Sequence, residues 1–211
     1  MKKNSFMEGA IVATIAIILT KVMGVLYVIP FYKIIGEQGG ALYGYAYNIY
    51  NIFLIISSAG IPLAISKLTS EYETLKEYDK KNEMYKISKK FIYVFSILSF
   101  LLCFIFAKPL AKLILGSLSG GNTIDDVCFV IRCISFALLI VPVLAIYRGY
   151  LQGHKYITVS SISQVIEQLV RIVFILLGSY ICVKVLHIRI TYAIGISVFS
   201  ATIGAIFAYI Y

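Results

Sequence analysis

The 211-residue chain is 60% hydrophobic and only 14% charged, with 19 lysines and arginines against 10 acids for a net charge of +9. A soluble domain carries about 25% charged residues, so the composition excludes an ordinary water-soluble domain and places the apolar surplus against lipid. The basic residues fall between the apolar runs, where they set membrane topology, which excludes a nucleic-acid surface.

A helix needs about 20 apolar residues to cross a bilayer. The first predicted span, residues 10–32, contains one charge, Lys21. It is too long for the apolar segment of a signal peptide and has no small-x-small site followed by a polar chain. A glycine cluster at 36–40 separates it from the second span, 41–66, which is uncharged. Gly60 and Pro62 weaken the second span, because proline removes an intrahelical hydrogen bond. The prediction there is a kink, serving either as inert packing or as a hinge.

The connector 67–90 holds seven lysines and five acids with no proline or glycine. It reads as a surface helix continuing into the third span, with Glu77 and Lys81 in the favourable i,i+4 order. Its basic excess suits either contact with anionic lipid or plain solvation. The third span, 91–110, passes Lys108 if that side chain snorkels. A flexible turn, GSLSGGN at 116–122, precedes the fourth span, 127–147, which carries Arg132. The fifth span, 156–183, carries Glu167 and Arg171, and the sixth, 190–211, is uncharged. Strands of a membrane barrel are shorter and alternate in polarity, so the fold class is an all-α integral membrane protein with six transmembrane helices. The sixth run is still apolar at Tyr211, as expected of a piece of a longer protein.

With the N-terminus in the cytoplasm, eleven basic residues fall inside, five outside and three within spans, which favours that orientation. The four cysteines lie in or beside spans with no CxxC pair, and His154 and His187 are lone, so the residues imply no metal site and no cofactor.

Ionisable groups within a span cost about 2.5–3.5 kcal/mol on insertion scales and mark cavities or partners. Lys21 lies near mid-membrane, on one face with Thr14 and Gly24. It is a candidate cation for an anionic substrate, or a lysine paired within the bundle. In the fifth span Gln164, Glu167, Gln168 and Arg171 fall at i, i+3, i+4 and i+7, with Ser160 extending the stripe. Glu167 is expected to pair with Arg132 or Arg171, forming an interhelical clamp or a proton or cation relay. In the second span Tyr43, Tyr47 and Tyr50 share one face and Asn48, Asn51 and Ser58 another. They read as an interfacial aromatic belt or as a sugar-facing wall. No nucleophile, carboxylate pair or phosphate loop points to an enzyme.

Several strings carry a family resemblance: Ser57-Ser58-Ala59-Gly60-Ile61-Pro62 followed by Ser66-Lys67 and Ser70-Glu71-Tyr72, then Arg148-Gly149-Tyr150-Leu151-Gln152-Gly153, then Ser163-Gln164-Val165-Ile166-Glu167-Gln168-Leu169-Val170-Arg171. With Lys21-x-x-Gly24 and the tyrosine-rich second span, the chain resembles the stage V sporulation protein B branch of the polysaccharide transporter family. That family sits in the exporter superfamily that includes lipid II flippases and multidrug and toxin extruders. The resemblance implies two six-helix lobes related by a pseudo-two-fold axis, with substrate between them and alternating access. This chain would be the first lobe, lacking its C-terminal partner lobe. Lys21 stands where the first cavity arginine of lipid II flippases is placed, and Tyr27 where the second is placed. The second span has no basic residue before Lys67, which widens the expected substrate to undecaprenyl-linked glycans in general. The expected function is a flippase for a lipid-linked saccharide. The alternatives are a cation-coupled drug exporter, needing a free cavity acid, and a non-transporting scaffold for envelope or spore-wall synthesis, needing every polar face packed shut.

Overall fold

The computed structural model describes residues 6–58, 60–116 and 121–211. Among them the elements run α1 (Phe6–Leu26), α2 (Val28–Ser58), α3 (Ile61–Leu75), α4 (Tyr78–Ile105), α5 (Ala107–Leu115), α6 (Ile124–Ser135), α7 (Ala137–Gly153), α8 (Ile157–Tyr180), one π-helical turn (Ile181–Val185) and α9 (Ile190–Ile210). Six helical runs are long and apolar enough to cross a membrane: Met7–Leu26, Val28–Leu75, Tyr78–Ile105, Ile124–Gly153, Ile157–Val185 and Ile190–Ile210.

Prolines account for most of the breaks inside the spans. Pro30 and Pro109 each lack the N–H that would bond four residues back, and the helices are interrupted just ahead of them, at Tyr27 and Phe106. A further interruption falls at Phe136, while Pro142 lies inside α7. Pro62 sits in the first turn of α3, where the missing donor costs nothing, and Gly60 before it is left-handed at φ 76°. The expected kink at Gly60–Pro62 is therefore a full break between two helices; Ala59 lies outside the described residues.

The first span continues from α1 through Pro30 to Ile35. The chain then reverses at Gly36 (φ 67°) rather than across the whole glycine cluster. Gly39 and Gly40 are already helical and buried, with Ile35 and Tyr32 filling the space where their β-carbons would stand. The third span runs on through α5 to Leu115, past an exposed Lys108 whose Nζ lies 3.5 Å from Asp125. Residues 117–120 of the GSLSGGN turn lie outside the described residues. At its edge, Gln38 Nε2 donates to the Gly121 carbonyl (2.7 Å) and Asn122 Nδ2 donates to the Gln38 carbonyl (3.1 Å), tying the first hairpin to α6. Thr123 and Asp126 form a capping box at the start of α6, as a threonine three residues before an acid permits.

The connector 67–90 leads into the third span as a helix, as expected, but only from Tyr78, because it is divided at Lys76 rather than continuous. It folds as two facing helix ends: α3 extends to Leu75, the chain turns at left-handed Lys76 (φ 60°), and α4 starts at Tyr78. The turn is a Schellman motif, with Glu77 N–H bonding the Tyr72 carbonyl at 3.0 Å. Lys155 (φ 66°) makes the same turn after α7, with Tyr156 N–H on the Leu151 carbonyl at 2.9 Å. A buried charge joins the two turns. Lys81 Nζ donates to Glu73 Oε2 (2.6 Å) and to His154 Nε2 (3.1 Å), while His154 Nδ1 donates to the Tyr150 carbonyl (2.9 Å). Glu77 bonds Lys80, not Lys81. Lys81→Met is expected to cost about 2 kcal/mol, the worth of a hydrogen-bonded charge lost from a part-buried pair. Lys80→Met, on an exposed pair, should leave the thermal midpoint unchanged. Thermal unfolding of the detergent-solubilised protein distinguishes the two.

The fourth and sixth spans form the centre of the bundle. Val127, Ile131, Ile134, Leu138 and Ile146 on α6 and α7, and Ile194, Val198, Ala201 and Ala205 on α9, are all fully buried. Lipid gives apolar side chains no reason to leave it, so spanning helices associate by close packing of small residues. α9 supplies many: a β-carbon at Gly195 would lie 2.5 Å from the Phe129 ring, and one at Gly204 would lie 2.7 Å from the Glu167 carbonyl oxygen. α7 meets α3 the same way. A β-carbon at Gly149 would collide with the Pro62 carbonyl, and one at Gly153 would lie 2.7 Å from the Ser66 carbonyl oxygen.

Candidate functional site

The polar stripe predicted on the fifth span faces into the bundle along α8. Glu167, about 15 Å from the start of that helix at 1.5 Å per residue, bonds two arginines. Arg148 Nη1 donates to Glu167 Oε2 at 2.8 Å, and Arg171 Nη2 donates to Glu167 Oε1 at 2.7 Å. The three side chains are 14%, 12% and 19% exposed. Ser163 extends the network, accepting from Arg148 Nε (3.2 Å) and Nη2 (2.9 Å) and donating to the Ala208 carbonyl (3.1 Å). Ser160 accepts from Gln152 at 2.8 Å. Gly204 lets α9 approach the backbone beneath Glu167, so the triad is clamped on two sides. One carboxylate shared by two guanidiniums leaves the cluster one positive charge in excess.

Arg132 is not in this network. It is exposed on α6, with its guanidinium 5.4 Å from the centroid of the Phe104 ring. Arg148 takes the place expected for it. The fourth span ends at Gly153 rather than at 147, and that extra length carries Arg148 inward as part of α7 instead of leaving it in a loop. The missed signal was the absence of any strong breaker between Tyr147 and Gly153, given that glycine alone is tolerated inside a spanning helix. Gln164 and Gln168 lie half-buried on the same stripe, Gln168 against Gly24 of α1.

The tyrosines of the second span are not an interfacial belt. Tyr43 and Tyr47 lie 4.5 Å apart between ring centroids and Tyr47 and Tyr50 5.8 Å, forming a ladder on α2. The Tyr27 and Tyr43 hydroxyls are 3.1 Å apart. Arg171 of α8 lies close to this ladder, near Tyr43, Tyr47 and Tyr50. The Tyr47 hydroxyl and Arg171 Nε are both buried without a hydrogen-bond partner. Two unused donors beside an excess positive charge suit an anion or an oxygen-rich ligand.

Lys21 stands elsewhere. It is exposed on α1, one turn before the Gly24 contact with α8, and makes no hydrogen bond or ion pair among the described residues. Asn48 and Asn51 are likewise exposed, on the side of α2 away from Ile49 and Tyr50. The lobe thus carries an internal clamp with its tyrosine ladder, and separate uncovered polar positions on α1 and α2. Among the described residues no group of three or more metal-ligating side chains comes together.

A helical lobe with six candidate spans, broken at prolines and enclosing a charged cluster, defines a multi-pass membrane protein with the fold of a transporter lobe. It superposes with a TM-score of 0.69 at 14% identity on a MOP superfamily transporter from Pyrococcus furiosus Vc1 (DSM3638), covering 95% of this chain and 43% of that one. An outward-facing multidrug resistance MATE family transporter of the same superfamily gives the same figures. The chain belongs to the polysaccharide biosynthesis protein family, whose pattern it matches over residues 6–211. It is 36% identical over 203 residues to the lipid II flippase MurJ of Bacillus subtilis (strain 168), covering 96% of this chain and 37% of MurJ. It is 27% identical over 172 residues to stage V sporulation protein B of the same organism, covering 82% of this chain and 32% of that one. The chain therefore spans about a third of the length of these relatives.

Proposed function

We propose that this chain is the N-terminal lobe of a flippase that carries an undecaprenyl-pyrophosphate-linked saccharide across the bacterial plasma membrane by alternating access. The observation that carries the reading is the exposed Lys21 near the middle of the first span. An unpaired ammonium at that depth is costly against lipid, which favours turning this face of α1 towards a hydrated space. The exposed Asn48 and Asn51 add uncharged hydrogen-bonding groups suited to a saccharide. The space closes only against a second lobe, and the chain's 37% coverage of MurJ leaves room for one in a full-length protein. The excess of basic residues on the α3–α4 and α7–α8 turns supports a cytoplasmic N-terminus.

In the cycle we envisage, Lys21 attracts the pyrophosphate. At 4 Å and an effective dielectric of 20, one such charge pair is worth about 4 kcal/mol. The break at Gly60–Pro62 lets the basic end of the second span pivot. A coupled drug exporter of this superfamily needs an acid free to exchange its cation, and Glu167 is held by two arginines, which disfavours that alternative.

The test is rescue of cells depleted of their lipid II flippase by the complete reading frame that contains this chain. Rescue by the parent and by Lys21→Arg, with loss in Lys21→Ala at equal expression, is the expected result. Rescue that survives Lys21→Ala would remove the cationic site from the mechanism. No rescue by a well-expressed parent would remove lipid II as a substrate.

A further inference from the structure

The face of the bundle formed by α4, α7 and α9 takes no part in the site above, and near the basic end it has an apolar groove. The groove is a cavity of about 240 Å³ lined by Tyr93, Leu139, Ile140, Val143, Ile206 and Tyr209. At its mouth Lys89 is half-buried, with Nζ 5.8 Å from the Tyr85 ring centroid and 5.5 Å from that of Tyr147. Tyr147 connects the lysine to the groove, since its ring meets Tyr209 edge-on at 5.3 Å and its hydroxyl oxygen accepts from the Tyr209 hydroxyl at 3.4 Å. Lys86 and Lys90 are exposed on the same helix. None of the three lysines has a carboxylate within ion-pair distance among the described residues.

We propose that this groove binds an anionic phospholipid of the surrounding membrane, with the phosphate on Lys89 and Lys90 and one acyl chain lying between Tyr93 and Tyr209. The charge pattern along α4 favours a lipid. Lys90 is the last charge of α4, the apolar run starts at Phe91, and Tyr93 lies one turn deeper. Cations at headgroup level above an apolar groove flanked by tyrosine hydroxyls match a lipid that is charged at one end and apolar below. A further helix of a longer polypeptide would have to bring acids to satisfy three unpaired lysines. An anionic leaflet already supplies them. The two tyrosine rings also hold Lys89 over the groove by cation–π contact, so the lysine is placed before the lipid arrives.

The experiment is native mass spectrometry of the full-length protein, purified in detergent and offered equal amounts of phosphatidylglycerol and phosphatidylcholine with identical acyl chains. Preferential retention of phosphatidylglycerol is expected. Lys89→Gln and Lys90→Gln should each lower that retention about fivefold, which is the worth of one lysine at an anionic surface. Ile206→Trp, filling the groove from its exposed rim, should lower retention of both lipids. Lys112→Gln at the opposite end of the bundle should leave it unchanged. Equal retention of the two lipids, or retention insensitive to Lys89 and Lys90, would overturn the proposal. So would a photo-crosslinker at position 140 that captures polypeptide instead of lipid, because a protein segment would then occupy the groove.

Discussion

Glu167→Gln is expected to destabilise this protein more than any other single replacement in the charged cluster. The carboxylate bonds Arg148 and Arg171 at 2.8 and 2.7 Å in a site where no member is more than 19% exposed. Its removal leaves two guanidiniums facing each other with no anion between them. Breaking a buried pair by removing one partner costs about 3–5 kcal/mol, and here a single substitution breaks two. For a chain of this size that corresponds to a fall of roughly 10 °C in the thermal midpoint. Arg171→Leu should cost less, because it leaves Arg148 and Glu167 as a neutral, bonded pair. The ordering is the test. If midpoints measured in detergent fall further for Arg171→Leu than for Glu167→Gln, the shared carboxylate is not what holds the cluster together. A double-mutant cycle over positions 148 and 167 should show coupling well above the error of additive sites.

Gly149→Ala is the second large effect. The β-carbon it adds would collide with the Pro62 carbonyl of α3, and backbone cannot rotate away as a side chain can. Overpacking of this kind costs about 1–3 kcal/mol. It acts where the second span restarts after its break, so α3 and α7 must separate to relieve it. Gly44→Ala is the matched control. It is also a helical glycine, but its added β-carbon would meet nothing within 4 Å, and it should be neutral or slightly stabilising by reducing unfolded-chain freedom. Unfolding midpoints of both variants, with cross-linking of cysteines placed at 63 and 150 to report the α3–α7 spacing, separate a local clash from a global loss. A Gly149→Ala protein as stable as Gly44→Ala would mean that the two helices do not pack this closely.

Residues that signal through their own local chemistry were legible before any coordinates. Six apolar runs were visible because each is long enough to cross a bilayer by itself, and the stripe at Gln164, Glu167 and Arg171 was visible because helical periodicity puts those positions on one face. The break at Gly60–Pro62 was legible for the same reason. Pro30 and Pro109 carried the same signal, and the interruptions at Tyr27 and Phe106 could have been read from them.

What the sequence could not supply was partnership across helices. Arg132 and Arg148 are both arginines near the fourth span. Only the rotation of α6 and α7 about their kink decides that one meets a phenylalanine on the bundle surface and the other reaches Glu167. The tyrosines of the second span have the composition of an interfacial belt, and it is their turn towards Arg171 that makes them an internal ladder. The connector 67–90 has no breaker, so its division at Lys76 depends on a tertiary contact, the Lys81 link between Glu73 and His154. Composition and periodicity determined that this chain is an all-helical membrane protein, since solvation of the backbone and of apolar side chains is settled residue by residue. The identity of the charge pairs depended on helix rotation and close approach at glycines, and only the packed structure fixes those.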